Sequence, residues 1–335
     1  MRLPRFNYFE PKSLSETLTL LSTHADGVVK AGGTDLLPRL KWKLVEPTCL
    51  INLKGLSDLD FVRRDGQGNL SIGAITPLSK IETSPLVRRY FGALAEALSH
   101  LGSPEIRHMG TLGGNACLDT RCQYYNQSPL FRKGAEPCLK VGGAKCYVSG
   151  KGNQCHALFC ADTVPLLIVS DAKLIIASSR GERSVSLQDF YTGNGKTPFH
   201  LSQNELVVEV QIPKRVEGTR AFYLKSRFRD AIDFPLVGVA LSGVKGKDIG
   251  FKEIRVVAGG ATPAPIRCLK AEEILKNEKI TDPVLEEAGE VAAKEVPIVS
   301  SSLCPVSYRK TLVKQLVIRG GRMFSGQARG GLQSD

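Results

Sequence analysis

The sequence predicts an α+β protein, and three observations carry that reading. Short apolar strands alternate with helical periods over the first 60 residues, a strand meander followed by helices fills the last third, and the loop-like stretch 110–160 has almost no amphipathic period. At 335 residues the chain can bury a sizeable core and divides into two or three domains.

The elements follow in order. Ser13-Leu14-Ser15-Glu16 reads as a capping box, with Leu14, Leu18 and Leu21 at helical spacing behind it. Val28 to Ala31 reads as a buried strand broken by Gly32-Gly33, with Thr34-Asp35 placed to cap a turn of helix before Pro38. Cys49 to Leu53 is a second strand, and a break at Gly55 to Asp58 closes a small lobe, residues 1–58. Asp65-Gly66-Gln67-Gly68 between two apolar runs is a hairpin signature, and Ser84-Pro85 opens a helix running through Ala93, Leu98 and Leu101. A helix over Ala161 to Val169 and strands at Lys173 to Ala177, Arg183 to Ser186 and Leu206 to Ile212 complete a second lobe, residues 59–216. Pro213 to Gly218 is polar and proline-bounded. Beyond it, a domain over 217–322 has strands at Arg220 to Ser226, Val237 to Val244 and Glu253 to Ala258, then helices at Lys270 to Lys276, Pro283 to Lys294 and Pro305 to Ile318. From Arg319 the composition turns to Gly, Ser, Gln and Arg, which predicts a mobile tail, most clearly over 323–335.

Bulk properties exclude several classes. No apolar run approaches the roughly 20 residues that span a bilayer, and the first ten residues lack the apolar core of a signal peptide, so a cytoplasmic protein is expected. The net charge of +12, from 45 basic and 33 acidic residues, is scattered in short groups such as Arg63-Arg64 rather than gathered in a tract. That distribution suits an acidic protein partner or cofactor better than nucleic acid. No nucleophile–base pair stands out.

Two glycine motifs carry the chemistry. In Lys30-Ala31-Gly32-Gly33-Thr34-Asp35-Leu36 the adjacent glycines allow positive φ and close backbone approach, so that successive N–H groups can form an anion-binding nest. A tight structural turn remains the alternative. The second motif, Arg107-His108-Met109-Gly110-Thr111-Leu112-Gly113-Gly114-Asn115, adds hydroxyl and amide side chains to three glycines. Neither is the G-x-G-x-x-G of a nicotinamide-binding Rossmann domain. Two such turns about 80 residues apart, each after an apolar segment, favour one shared dinucleotide.

The pairing of A-G-G-T-D with R-x-x-G-T-L-G-G-N resembles the FAD-binding subunits of the xanthine dehydrogenase and carbon monoxide dehydrogenase family, the molybdenum hydroxylases. Cys160-Ala161-Asp162, Ser170-Asp171-Ala172, Tyr223-Leu224-Lys225, Arg229 and Asp233 extend the resemblance over nearly the whole chain. It implies a two-lobed FAD-binding domain of the vanillyl-alcohol-oxidase (PCMH) type and a C-terminal α+β domain of the CO dehydrogenase flavoprotein type. It further implies that Lys30, Ala31, Gly32, Gly33, Thr34, Asp35 and Leu36 wrap the pyrophosphate. Leu101, Gly110, Thr111, Leu112, Gly113, Gly114 and Asn115 would line the remainder, Asp162 would bind polar groups, and Lys225 would lie near the isoalloxazine end.

The cysteines add a second centre. Six of nine fall within 117–160, and Cys122, Cys138, Cys146 and Cys155 are separated by 15, 7 and 8 residues in a loop rich in glycine, including Gly134, Gly142, Gly143, Gly150 and Gly152. A long loop of this kind in a compact domain is usually functional. Structural zinc, free buried thiols and an iron–sulfur cluster all remain open on spacing, although zinc sites usually show tight C-x(2–4)-C pairs, absent here. Beside a flavin the combination resembles the 4-hydroxybenzoyl-CoA reductase branch of the family and its β subunit. That likeness implies a [4Fe–4S] cluster on Cys122, Cys138, Cys146 and Cys155, with Gln123 a candidate flavin contact. Cys117 and Cys160 read as core cysteines at the loop's bases, either of which could substitute as a ligand. His156 reads as solvent-facing or as support behind a ligand.

The same resemblance implies an electron-transfer role in a hetero-oligomer, a dimer of heterotrimers, with separate molybdenum-cofactor and [2Fe–2S] subunits and a ferredoxin-like donor. It implies reductive dehydroxylation of 4-hydroxybenzoyl-CoA in anaerobic degradation of aromatic compounds. The alternative is a xanthine dehydrogenase-like hydroxylase sending electrons to NAD or a quinone.

Overall fold

The computed structural model describes residues 2–150, 152–246, 250–301 and 304–325. The first sheet is small and parallel. It is built from β1 (Asn7–Phe9), α1 (Leu14–Thr23), β2 (Val28–Lys30), α2 (Leu36–Lys41) and β3 (Cys49–Asn52), with strand order β1-β3-β2. Ser13 caps α1 through an N–H···O bond from Glu16 of 3.1 Å. The Glu16 carboxylate, however, accepts from the Lys12 N–H rather than closing back on Ser13 as the capping box predicts. α2 departs from expectation too. Asp35 occupies its N-cap without its side chain accepting from a helix N–H, and the helix continues through Pro38, whose missing N–H costs nothing in a first turn. Leu18 and Leu21 of α1 pack on Ile51 and Leu53.

Two 3-10 turns, Leu53–Gly55 and Ser57–Leu59, lead into the hairpin β4 (Val62–Arg64) and β5 (Leu70–Gly73). The Asp65 carboxylate accepts from the N–H groups of Gln67 and Asn69, fixing the turn. A run of helices follows: α3 (Leu78–Thr83), α4 (Pro85–Ser99), α5 (Pro104–Met109), α6 (Leu112–Ala116), α7 (Pro129–Lys133) and α8 (Thr163–Val169). Then β6 (Lys173–Ser178), β7 (Gly181–Ser186) and β8 (Leu206–Ile212) complete a five-stranded antiparallel sheet of order β4-β5-β8-β6-β7. Ser84 caps α4 with Pro85 at its first position, as the dipeptide predicts. The helix kinks at Phe91, whose φ and ψ are −148° and 53°.

The last third is the predicted meander: β9 (Arg220–Ser226), β10 (Val237–Lys245), β11 (Phe251–Gly259) and a short β12 (Ile266–Arg267), antiparallel in order β12-β11-β10-β9. It is followed by α9 (Leu269–Asn277), α10 (Asp282–Glu295) and α11 (Val306–Ser325). Strand alternation explains why β10 is buried on both faces. Val237, Val239 and Leu241 pack with α9–α11, whereas Ala240 joins the core around α8. Small residues on that second face admit α8 closely, and a Cβ on Gly259 would come within 2.9 Å of Pro165.

The chain from Arg319 does not behave as its composition predicts. α11 runs on to Ser325, because Gly320 and Gly321 let the helix press onto Leu241 and Leu285. The remainder of the expected tail, 326–335, lies outside the described residues.

Candidate functional site

A cavity of about 370 Å³ opens where the parallel sheet, the helices of the second sheet and the β9–β10 loop meet. Its floor is the first glycine turn. Gly33 has φ +78°, a left-handed conformation that glycine adopts without strain. A Cβ on Gly32 would stand 1.7 Å from the Met109 carbonyl oxygen, so the two glycine motifs touch, with no room for a side chain between them. Among the described residues the N–H groups of Gly32, Gly33, Thr34 and Asp35 meet no protein acceptor. Four consecutive donors on the cavity wall form the kind of concavity that takes an anion. Lys30 adds an ammonium, held by Asn52 Oδ1 at 3.0 Å and pushed below its ordinary pKa by burial.

The second motif plays another part. Its N–H groups are used within the protein: Leu112 donates to Thr76 O, Gly113 to Ala74 O and Gly114 to Thr111 Oγ1. Asn115 Oδ1 accepts from the Thr163 hydroxyl at 2.6 Å. The turn therefore forms a rigid wall by close packing, and a Cβ on Gly113 would meet Ala74 at 2.7 Å. Gly110, Thr111, Gly113, Gly114, Asn115 and Leu101 all line the cavity, as do Lys30 to Leu36. Leu112 points into the core, fully buried. Gln123 lies outside the lining of this cavity.

Asp162 closes one end. Its carboxylate accepts from Tyr223 Oη and Lys225 Nζ, each at 2.9 Å, and both Asp162 and Lys225 side chains are more than nine-tenths buried. Burial pushes the Asp162 carboxyl above its ordinary value, while Lys225 and Tyr223 oppose that rise. Lys225 thus stands behind the wall and acts on the cavity through Asp162. Gly238 on the neighbouring strand makes room for Tyr223, whose hydroxyl a Cβ would meet at 2.3 Å.

Of the remaining lining residues, Asp233 belongs to the stretch that carries the resemblance, and the others carry no sequence signal. Arg39 and Arg121 bring positive charge to the wall and share Asp35. Ile232, Asp233 and Phe234 of the β9–β10 loop reach over the opening, with Ile232 held at φ +68°, a rare conformation for a β-branched residue. Leu201, Glu205 and Leu206 arrive from the approach to β8. Only tertiary packing assembles these groups.

The cysteine loop folds around a second, smaller cavity of about 10 Å³. Cys122, Cys138, Cys146 and Cys155 all line it, together with Tyr124, Tyr125, Tyr147 and Lys140. All four thiols are free. The loop glycines earn different explanations. Gly142, Gly150 and Gly152 have positive φ, and a Cβ on Gly143 would fall 1.6 Å from Pro137 O. Gly134 has an ordinary right-handed conformation that other residues could adopt.

Burial pushes the Cys122 and Cys155 thiols up, and Lys140 and the Ala157 N–H partly offset this at Cys155. At Cys146 burial also opposes ionisation, yet N–H groups of Ser149, His156 and Val148 donate to the sulfur and bring it below its ordinary value. His156 thus supports a ligand candidate with its backbone. Cys117 and Cys160 line the larger cavity instead, and burial pushes both thiols up to about 12. Among the described residues no three His, Cys, Asp or Glu side chains close on a single-ion site, and no helix is long and apolar enough to cross a membrane.

A parallel lobe and an antiparallel lobe enclosing a glycine-floored cavity, backed by a meander-and-helix domain, form a two-lobed protein whose cavity suits an anionic ligand. Residues 4–215 match the family described as the FAD binding domain in molybdopterin dehydrogenase, and residues 220–322 match the CO dehydrogenase flavoprotein C-terminal domain. The chain belongs to this family of FAD-binding subunits. It is 33% identical over 251 residues to the aldehyde oxidoreductase FAD-binding subunit PaoB of Escherichia coli (strain K12), covering 72% of this chain and 77% of that protein. It is 27% identical over 311 residues to the xanthine dehydrogenase FAD-binding subunit of Escherichia coli O157:H7, covering 92% of each. Among solved structures, quinoline 2-oxidoreductase from Pseudomonas putida 86 matches with a TM-score of 0.79 at 26% identity, over 98% of this chain and 99% of that one. Carbon monoxide dehydrogenase from Hydrogenophaga pseudoflava shares the fold at a TM-score of 0.81 and 24% identity, over 98% of this chain and 100% of that one.

Proposed function

We propose that this chain is the electron-transferring flavoprotein subunit of a molybdenum-dependent oxidoreductase, with a [4Fe–4S] cluster of its own in the cysteine loop. The observation that carries the reading is the convergence of four free thiols, Cys122, Cys138, Cys146 and Cys155, on one cavity. Only four residues separate Cys117, on the larger cavity, from Cys122, on the smaller one. The larger cavity suits a dinucleotide in size and chemistry, since ligand pockets of about 300–1,000 Å³ are mostly apolar with a few placed polar groups. When bound, FAD would exchange electrons singly or in pairs, and an iron–sulfur cluster would exchange them singly.

The chain's own residues supply binding and orientation. The N–H groups of Gly32 to Asp35 would take the pyrophosphate, with Lys30 beside them. The wall of Gly110 to Asn115 and Leu101 would fix the cofactor's position, and Asp162, fixed by Lys225 and Tyr223, would present a carboxylate whose orientation cannot drift. Leu112 would act from behind the wall, with Gln123 a candidate flavin contact from the cysteine loop. The N–H groups that donate to Cys146 favour a thiolate there, the form that binds metal. The spacing of the four cysteines along the chain, without a tight C-x(2–4)-C pair, supports a cluster over structural zinc.

At the level of substrate, the loop supports reductive dehydroxylation of 4-hydroxybenzoyl-CoA in a cytoplasmic complex. That complex would include molybdenum-cofactor and [2Fe–2S] subunits, arranged as a dimer of heterotrimers, and would draw electrons from a ferredoxin-like donor. The relatives named above favour a second reading, a hydroxylase of xanthine dehydrogenase type passing electrons outward to NAD or a quinone. Assays of the purified complex with aryl-CoA and with purines separate the two. For the cofactors, anaerobic purification followed by flavin, iron, sulfide and zinc analysis is decisive. Cys122→Ser should lose iron and keep flavin, and Cys117→Ser should keep both. Zinc in place of iron, or a colourless complex, would overturn the cluster.

A further inference from the structure

The cysteine cavity contains one ionic side chain among the described residues that line it, Lys140. It lies between Cys138 and Cys146 in sequence, and its side chain is 6% exposed. Its ammonium is tied down by several partners. It donates to Asp119 Oδ1 at 2.8 Å, to Gly195 O at 2.8 Å and to Thr120 Oγ1, and it lies 4.9 Å from the Tyr125 ring centroid. The charge is therefore fixed in place and largely dehydrated. Bulk salt screens such a charge far less than one on the surface.

Asp119 is the only anion that Lys140 meets among the described residues, and it is shared. Arg39 approaches Asp119 Oδ2 to 3.0 Å as an ion pair without hydrogen-bond alignment, and Arg39 in turn faces Asp35, the partner of Arg121. One carboxylate thus stands between the cation of the cysteine cavity and the cations of the larger one.

We propose that Lys140 and Asp119 act as an opposed pair of positioning residues that set how readily the centre held by the four cysteines accepts an electron. This rests on the cluster reading given above. A four-thiolate centre becomes more negative when it gains an electron. A fixed cation beside it favours the reduced form, and the carboxylate behind that cation weakens the effect. Potentials of iron–sulfur centres respond to net charge, hydrogen bonds and exposure.

The two residues make opposite predictions, which a purely structural role would not. The full chain in its complex is purified anaerobically, and the cluster is reduced one electron at a time by dithionite with mediators and followed by EPR. Lys140→Met should shift the reduction equilibrium about tenfold toward the oxidised form, about 59 mV downward for a one-electron centre. Asp119→Asn should shift it upward, and both shifts should persist at high salt. Flavin content reports whether each variant keeps its fold. Shifts of the same sign, or none in either variant, overturn the proposal. If Lys140→Met fails to load iron, Asp119→Asn decides alone, an upward shift supporting the proposal and an unmoved potential overturning it. Wild-type protein without iron would instead overturn the cluster reading, and this proposal with it.

Discussion

The floor of the larger cavity turns on one missing methyl group. Gly32 lies against the Met109 carbonyl, where a Cβ would approach to 1.7 Å. Backbone on both sides leaves no flexible end to move aside, and overpacking of this kind costs about 1–3 kcal/mol or more. Gly32→Ala should therefore purify with much less flavin and unfold at lower temperature, checked by the 450 nm to 280 nm absorbance ratio and a thermal melt. Glu205, on the same cavity, gives a pH-dependent counterpart. Its hydrogen bonds from Arg183 hold its carboxyl well down, to about 2 from an ordinary 4.5. A depressed carboxylate adds stability above its unfolded value and loses it as pH falls through the folded one. Unfolding midpoints should thus fall as pH drops from 4.5 toward about 2, more steeply in wild type than in Glu205→Gln. The glycines were legible in the sequence because positive φ and close approach leave a compositional mark. Arg39, Asp119 and Arg121 were not, since each gains its meaning from a partner distant in the chain.

The cysteine loop is shaped by glycine as much as by cysteine. Gly143 faces Pro137 O, and a Cβ would stand 1.6 Å from it. That contact closes the turn joining Cys138 to Cys146, whose backbone bonds include Gly143 N–H to Cys138 O at 2.9 Å. Gly143→Ala should leave the flavin site intact and lower iron content several-fold, read by metal analysis of anaerobically purified protein, whereas Gly134→Ala should change neither. Period and punctuation made the long elements readable: the β9–β11 meander, the α10 and α11 helices and the Ser84-Pro85 start of α4. The short ones escaped for physical reasons. β1 is three residues, exposed or half-buried throughout, so no apolar run marks it as one marks β2. α3 follows Pro77 without a side-chain cap, so little announces it. α5 could have been found, because Ser103-Pro104-Glu105 repeats the signal of Ser84-Pro85 and Ser103 does cap it.

At the scale of the molecule, the segment matching the FAD-binding family and the segment matching the C-terminal family are joined through a buried ion pair. Asp162 precedes α8, Lys225 and Tyr223 belong to β9, and α8 packs under the sheet those strands form. Removing one partner of a buried pair leaves an uncompensated charge and costs about 3–5 kcal/mol. Lys225→Met should lower the urea midpoint accordingly and release flavin earlier than it unfolds the C-terminal helices, followed by flavin fluorescence alongside circular dichroism. The family resemblance was readable because both glycine motifs survive intact. The pairing behind Asp162 was not: the i, i+2 spacing of Tyr223 and Lys225 puts them on one face of β9, but Asp162 lies 61 and 63 residues away from them in the chain.

The touching of Gly32 and Met109 also has a kinetic consequence. The floor belongs to residues near 32 and the wall to residues near 110, so the pocket closes only after a loop of nearly 80 residues has been ordered between them. Contacts of such sequence separation form late and slowly, after their closure entropy has been overcome. Cofactor capture should accordingly be one of the last events in maturation. A nascent chain still short of residue 115 would have the anion-binding turn but no wall opposite it.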